Sequence, residues 1–451
     1  MNLWILTEER PKSEDIKFIL EKTSKKLGYK HNFENITIEP DIEDNCFKHR
    51  YFVKGASIEN IKSILIYTVS SSSSFVDALI YHQSEVPEPS QLFQNCIYAI
   101  EETKTNTYDS RNTAMGQRST KFNFLNYYKD KYKYTFTPVM FFTSKQAETD
   151  HDSVNFVNKM LLHLESGIEF WNKDLENLKK FNDLEEFIEL KNKISLTNTR
   201  ANDTPLTIEA TDKEIKISAL LANPNNSRPN YTGRIGHDPN MGQVPLIAKT
   251  LRNLGWDKKI IIINHQILQN RISNRGNKLT ALASYINFEL EDIDLPNTTF
   301  NNEYWKFEKK KEKVASILAQ VILSNKGLKT IFDNHGGCEK SYFLTSEGEN
   351  LVIPKKYSES GGKIPDLVMV DYEKKEIYSY EGKTNNYLNQ GLDELEKFDL
   401  FELDFLGKYY PDFKFFRSLI INGGIELSHD QVSFQILDSG KIEFNSSEFV
   451  N

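Results

Sequence analysis

The sequence predicts an α/β protein built from two similarly ordered modules, a helical bridge and a compositionally distinct central region. Three observations carry that expectation: β-branched and aromatic runs alternate with stretches of helical periodicity, both ends of the chain show one order of elements, and the middle is rich in Asn, Gly, Pro and Arg. At about 150 residues per domain, 451 residues give a prior of roughly three domains. Hydrophobic residues make up 39%, charged residues 27% and aromatic residues 12%, inside the globular range and away from the composition of disordered chains.

Residues 13–29 place Ile16, Phe18, Ile19 and Leu27 at roughly helical spacing after Ser13, a residue type that caps a first turn. SILIYTVS (63–70) is a strand candidate, and the serine tract 70–74 reads as a turn because apolar FVDALIY resumes at once. CIYAIEETK (96–104) predicts a strand, 110–132 a helix, and YTFTPVMFFTS (134–144) a strand whose proline marks an edge or a strand start. Heavily charged helical periodicity over 151–194 predicts the bridge. Between 201 and 300, turn-forming PNN, RPN and DPN steps precede a helix closed by Gly255 and the strand KKIIIINHQIL. From 301 onward the order returns as a helix (305–325), strands (341–346, 364–371, 376–384), a helix (391–410) and strands (416–423, 431–437). The expected division is 1–150, 151–200, 201–300 and 301–451, with similarity of pattern between the ends and no residue-level repeat.

Several classes are disfavoured. Cys46, Cys96 and Cys338 stand far apart without a CxxC step, which fits a reducing cytosol and leaves metal binding to oxygen ligands. The opening MNLWILTEERPK lacks a signal-peptide core, and the longest apolar runs fall well below the roughly 18 residues of a bilayer span, so a soluble cytoplasmic protein is expected. No P-loop is present, which argues against an ATP-driven machine. A net charge of −8 argues against a uniform nucleic-acid-binding surface but leaves room for a basic groove.

The chemistry concentrates in IPDLVMVDYEKKEIYSYEGKT. Asp366 opens one strand, and a second carries Glu381 and Lys383 on one face; in a hairpin, two carboxylates and an amine would converge. Hard oxygen ligands suit Mg²⁺, which polarises a phosphoryl oxygen and acidifies bound water. The Glu-x-Lys triplet alone selects nothing, because Glu214-Ile-Lys216, Glu308-Lys-Lys310 and Glu373-Lys-Lys375 also have it; the preceding strand-borne Asp does. A second set lies near the N-terminus, with Asp77 inside FVDALIY and Glu102 and Lys104 on one face of the next strand. Which of Glu101 and Glu102 points inward stays open.

Pro365-Asp366 followed by Glu381-Gly-Lys383, on strand, turn and strand before a helix, resembles the PD-(D/E)XK nuclease superfamily and specifically its Type II restriction endonucleases. IEETKTNTYDSRNTAMGQRSTKF and GRIGHDPNMGQVPLIAKTLRNLGW are also similar to restriction-enzyme segments. The resemblance implies a restriction-endonuclease-like mixed sheet flanked by helices and Mg²⁺-dependent cleavage of double-stranded DNA. It assigns Asp366 and Glu381 as metal ligands, with Lys383 acting on water. Asp77 and Glu102 as ligands and Lys104 as the lysine follow for the first module, unless that module, lacking Pro before its Asp, serves DNA binding alone. A cognate DNA methyltransferase acting on the same site is also implied, and a homodimer if only the C-terminal site cuts.

Local charge supports a DNA partner. Residues 104–133 hold seven basic against two acidic residues, and 224–278 hold nine against two. Arg suits guanine, Asn and Gln suit adenine, and Lys meets phosphate. Expected DNA contacts are Arg111, Gln117, Arg118 and Lys121 after the Glu102 strand, and Arg234, His237, Asn240 and Arg252 in the central region. The alternatives are a structure-specific or repair nuclease and a non-catalytic DNA-binding protein on nuclease-like folds.

Overall fold

The computed structural model describes residues 1–10, 12–71, 75–103, 115–142, 152–170, 178–194, 206–219, 239–264, 276–291, 304–334, 342–353, 362–425 and 429–450. The protein is mixed α/β, with mixed sheets flanked by helices. It forms two compact units, one from Met1–Ser70 with Phe307–Asn451 and the other from Ser71–Lys306. One unit boundary, at 306/307, lies close to the expected one at 300, but none falls at 150 or 200 and another falls at 70/71, because pairing between distant segments, not local composition, defines a unit.

The first unit begins with β1 (Asn2–Thr7), α1 (Ser13–Leu27), β2 (His31–Glu43), β3 (Cys46–Ile58) and β4 (Ile64–Ser71), with strand order β2-β3-β4-β1. Ser13 is the first residue of α1, and Lys12 at the cap makes no side-chain bond. Glu14 and Asp15 in the first turn and Lys25 and Lys26 in the last suit the helix dipole instead. Sequence periodicity misses the β2–β3 hairpin because β2 is largely exposed and register shifts interrupt its pairing. Its one local signal is Asp44-Asn45, both at positive φ (51° and 60°), as a tight hairpin turn requires.

The second unit contains β5 (Ala78–Gln83), β6 (Cys96–Thr103), α2 (Met115–Tyr132), β7 (Thr137–Phe142), α3 (Asp152–His163) and β8 (Gly167–Phe170). The sheet order is β5-β6-β7-β8, antiparallel at the first junction and parallel at the next two. The expected helical bridge therefore includes a sheet strand, β8, before α4 (Leu184–Lys193), which Asp183 caps by accepting from the Glu186 N–H at 2.8 Å. A second sheet, ordered β12-β11-β10-β9, comprises β9 (Thr207–Ala210), β10 (Glu214–Ala219), β11 (Lys259–Asn264) and β12 (Glu289–Glu291), with α5 (Pro239–Asn253) and α6 (Gly276–Ile286) in its connections.

After β13 (Trp305–Phe307), the first unit resumes with α7 (Glu312–Asn325), β14 (Lys329–Asp333), β15 (Tyr342–Leu344), β16 (Asn350–Val352), β17 (Leu367–Asp371), β18 (Glu376–Thr384), α8 (Leu388–Leu395), β19 (Lys414–Asn422), β20 (Val432–Ile436) and β21 (Ile442–Phe444). Its main sheet runs β14-β17-β18-β19-β20-β21. Val368, Val370 and Ile377 pack with Phe401, Phe405 and Tyr410, while Leu419, Ile421 and Val432 pack with Leu395 and Phe398. Each buried side chain of this kind contributes roughly 1.5–3 kcal/mol. The N-terminal hairpin is stitched to this end of the chain: the Phe47 N–H donates to the Gly440 carbonyl at 2.9 Å, and Asn325 Nδ2 to the Ile38 carbonyl at 2.9 Å.

The shared element order of the two chain ends has a counterpart in pairing. β17-β18-β19-β20 repeats the antiparallel, parallel, parallel pattern of β5-β6-β7-β8, with helix between the second and third strands of each. Among the described residues, no helix is long and apolar enough to cross a membrane.

Arg252, an expected DNA contact, lies in the C-terminal turn of α5. It donates to the carbonyls of Ile286 at 3.0 Å, Trp256 at 2.7 Å and Lys258 at 2.5 Å, and also to that of Asn287. Hydrogen bonds from a charged donor are worth about 1.5–3 kcal/mol each. Arg252→Met should therefore lower the urea midpoint markedly at an unchanged m-value, whereas a residue serving only DNA contact would leave the midpoint in place.

Candidate active site

The C-terminal site follows from register. Leu367 pairs with Tyr380 across the β17–β18 ladder, so Asp366, one residue earlier, falls opposite Glu381. The Asp366 N–H donates to the Tyr380 carbonyl at 3.0 Å, and the Gly382 N–H donates to Asp366 Oδ2 at 3.0 Å. Lys383, two positions beyond Glu381 on the same face, brings Nζ to 2.5 Å from Glu381 Oε1. The three residues read from the sequence thus converge, with Glu381 and Lys383 buried and Asp366 half-buried.

Two further charged residues belong to the cluster. Lys363 Nζ lies 3.4 Å from Glu381 Oε1 and 3.0 Å from Glu394 Oε2, and Lys383 Nζ lies 2.8 Å from the same Glu394 oxygen. Gln390 Nε2 donates to Glu394 Oε1 at 2.9 Å. Sequence reasoning missed Glu394, although its spacing from Gly391 and its neighbour Leu395 puts a carboxylate on the buried face of α8. Two glycines let the layers close. A Cβ on Gly382 would stand 2.3 Å from Ser316 Oγ of α7, and one on Gly391 would stand 2.9 Å from Lys383 Cγ.

The electrostatics suit a cation. Burial pushes the Asp366 carboxyl up to about 6 against the Gly382 N–H and the two lysines, which pull it down. Glu381 is pushed up to about 8 by burial, repulsion from Asp366 and its hydrogen bond with Glu394. Burial lowers Lys383, but Glu381 and Glu394 outweigh it and hold the ammonium above its ordinary value. Burial likewise raises Glu394, but its bonds to Glu381, Lys383, Gln390 and Lys363 hold it well below the usual carboxylate range. Glu381 Oε2 is buried with no donor among the described residues, and the neighbour Glu381 hydrogen-bonds with is another acid, Glu394, a bond that needs a shared proton. Among the described residues, no group of three His, Cys, Asp or Glu side chains is arranged to cage a metal. Asp366 and Glu381 supply two hard oxygen donors, the ligand type of an ion such as Mg²⁺ that keeps several waters and takes other ligands from substrate.

The N-terminal set assembles differently from expectation. Asp77 stands just before β5, and its Oδ2 accepts from the Glu102 backbone N–H at 2.6 Å. Glu102 itself is half-exposed, and Glu101 is the buried acid, with Oε2 2.6 Å from Lys121 Nζ of α2. One residue along a strand reverses the face, so Glu101 and not Glu102 shares the side of Thr103. Lys121, expected on DNA, is thus engaged with this carboxylate. Lys104, Arg111, Arg234 and His237 lie outside the described residues, while Gln117, Arg118 and Asn240 belong to α2 and α5 with side chains outside the description.

Two outcomes test this arrangement. A carboxyl held at about 8 in the fold against an ordinary 4.5 contributes stability that is present below 4.5 and lost as pH rises through 8. The metal-free protein should therefore lose melting temperature over that range, and millimolar Mg²⁺ should raise it more at pH 8 than at pH 6; an equal Mg²⁺ effect at both would contradict ion binding at these carboxyls. Gly382→Ala should cost about 1–3 kcal/mol in urea unfolding by overpacking against Ser316. The chain matches no protein-family model, no curated protein and no solved structure, so its own geometry carries the functional reading.

Proposed function

We propose that this protein is a Mg²⁺-dependent endonuclease that hydrolyses phosphodiester bonds of double-stranded DNA at specific sequences, in the manner of a Type II restriction enzyme of the PD-(D/E)XK superfamily. The observation that carries the reading is the convergence of Asp366, Glu381 and Lys383 around the unmet Glu381 Oε2. Asp366 and Glu381 would hold the ion. Bound there, it would supply Lewis acidity at a phosphoryl oxygen and a more acidic water. Lys383, kept cationic by Glu381 and Glu394, would orient that water and offset negative charge developing on the phosphoryl group. Glu394 and Lys363 act through these groups as positioning residues, holding Lys383 and Glu381 in place. DNA is the partner that gives the basic stretches of sequence a purpose, and the cytoplasm is where such a partner and a protecting methyltransferase would meet it.

A plasmid digest with and without Mg²⁺, followed by end sequencing, tests the reading. Discrete fragments with a common end sequence, formed only with metal, are expected, and Lys383→Ala should slow their formation roughly 10²- to 10³-fold. Heterogeneous ends would favour a structure-specific or repair nuclease. Binding without cleavage under every divalent ion tried would leave a non-catalytic DNA-binding protein.

A further inference from the structure

The second unit repeats the register of the active site. Ala78 pairs with Ile100 across β5 and β6, which puts Asp77 opposite Glu101 as Asp366 stands opposite Glu381. In both places the Asp Oδ2 accepts from the backbone N–H that follows the opposing Glu: Glu102 N–H at 2.6 Å here, Gly382 N–H at 3.0 Å there. In both places the Glu-bearing strand then pairs in parallel with the next strand, Glu101 beside Met140 and Glu381 beside Leu419. The position of Lys383 is taken by Thr103, which is buried and directs its hydroxyl to Met115 Sδ at 3.8 Å. The missing amine arrives from another element. Lys121 of α2 places Nζ 2.6 Å from Glu101 Oε2, against 2.5 Å between Lys383 and Glu381.

We propose that Asp77, Glu101 and Lys121 form a second divalent-metal site for phosphodiester hydrolysis, in place of the set Asp77, Glu102 and Lys104. The proposal rests on the nuclease reading of the C-terminal site. A carboxylate with 4% side-chain exposure on a sheet strand is costly to bury, and an ordinary structural ion pair with Lys121 would account for it alone. It would not account for the second carboxylate set opposite in the same register with the same backbone bond. Asp77 is half-buried and Lys121 24% exposed, so the pair is open to solvent on their side, while Glu101 lies beneath them at 4%. In the step proposed, a water oxygen bonds to phosphorus as the bond from phosphorus to the leaving sugar oxygen breaks. The water gives up its proton to solvent, and the sugar oxygen takes one from solvent. Asp77 and Glu101 hold the ion, and Lys121, from a different element, pairs with its Glu as Lys383 does in the other unit. Two such sites allow one chain to cut both strands without a second copy.

Calcium titration calorimetry on the full chain, together with a supercoiled-plasmid assay in Mg²⁺, tests this. The wild type should bind two ions and linearise plasmid; Glu101→Gln and Asp77→Asn should each bind one and stop at nicked circles. Lys121→Met should keep two ions and also stop at nicked circles, a split that a merely structural lysine would not produce. Melting curves of all variants establish that they fold, and Asp77→Asn at a half-buried position serves if Glu101→Gln does not. Two ions and full linearisation in both acid variants would overturn the proposal, as would loss of the second ion in Glu102→Gln instead. If Glu381→Gln changes neither ion number nor cleavage, the nuclease reading of the C-terminal site fails as well; if only the second-unit variants are silent, this proposal alone fails.

Discussion

The pairing of Leu367 with Tyr380 is the constraint on which the candidate site depends. It sets Asp366 opposite Glu381, and the bond from the Gly382 N–H to Asp366 Oδ2 locks the carboxylate at the strand opening. A slip of one residue would carry Glu381 and Lys383 to the other face of the sheet together. The surrounding layers are fitted to that register. Gly382 admits Ser316 of α7, Gly391 admits the stem of Lys383 against α8, and Arg417 on β19 reaches Glu402 at 2.6 Å and the Leu395 carbonyl at 3.0 Å to tie the following helical run down.

The cluster holds more acid than its own bases satisfy. Asp366, Glu381 and Glu394 face Lys363 and Lys383, and the shortfall falls on the innermost carboxyl, Glu381. Its environment separates three chemically similar groups into different roles. Glu394, rich in donors, stays ionised and anchors the lysines, whereas burial holds Asp366 and Glu381 protonatable, with Glu312 adding to the first and Asp366 to the second. Crowding acids with too few bases costs the fold stability, the relation between stability and function that a working site commonly shows.

Legibility in the sequence followed the range of the interactions. The mixed α/β class and the strands around Asp366, Glu381 and Lys383 were readable because strand alternation and a short turn are local properties. Lys363 and Glu394 were not, since their places depend on how α8 and the segment before β17 pack on the sheet. The N-terminal module shows the limit more sharply. Alternation alone groups Glu102 with Lys104 and leaves the inward acid open; the pairing of Ala78 with Ile100 sets Glu101 opposite Asp77, and the ammonium at its side comes from Lys121, on a different element. The same holds for the division into units, because nothing local in residues 1–70 announces that their partners lie after residue 306.

That last arrangement bears on how the molecule is made. Asn45 Nδ2 donates to the Ile442 carbonyl at 2.7 Å across a sequence separation of 397 residues. On the ribosome, the first strands must wait through synthesis of the whole intervening unit before their partners emerge, while Ser71–Lys306 has its internal contacts in hand early. Closing so long a loop is slow relative to local folding. The unit that carries Asp366, Glu381 and Lys383 is therefore the last to complete its pairing, and a chain interrupted before residue 384 lacks the β17–β18 strand pair and the side-chain cluster built on it.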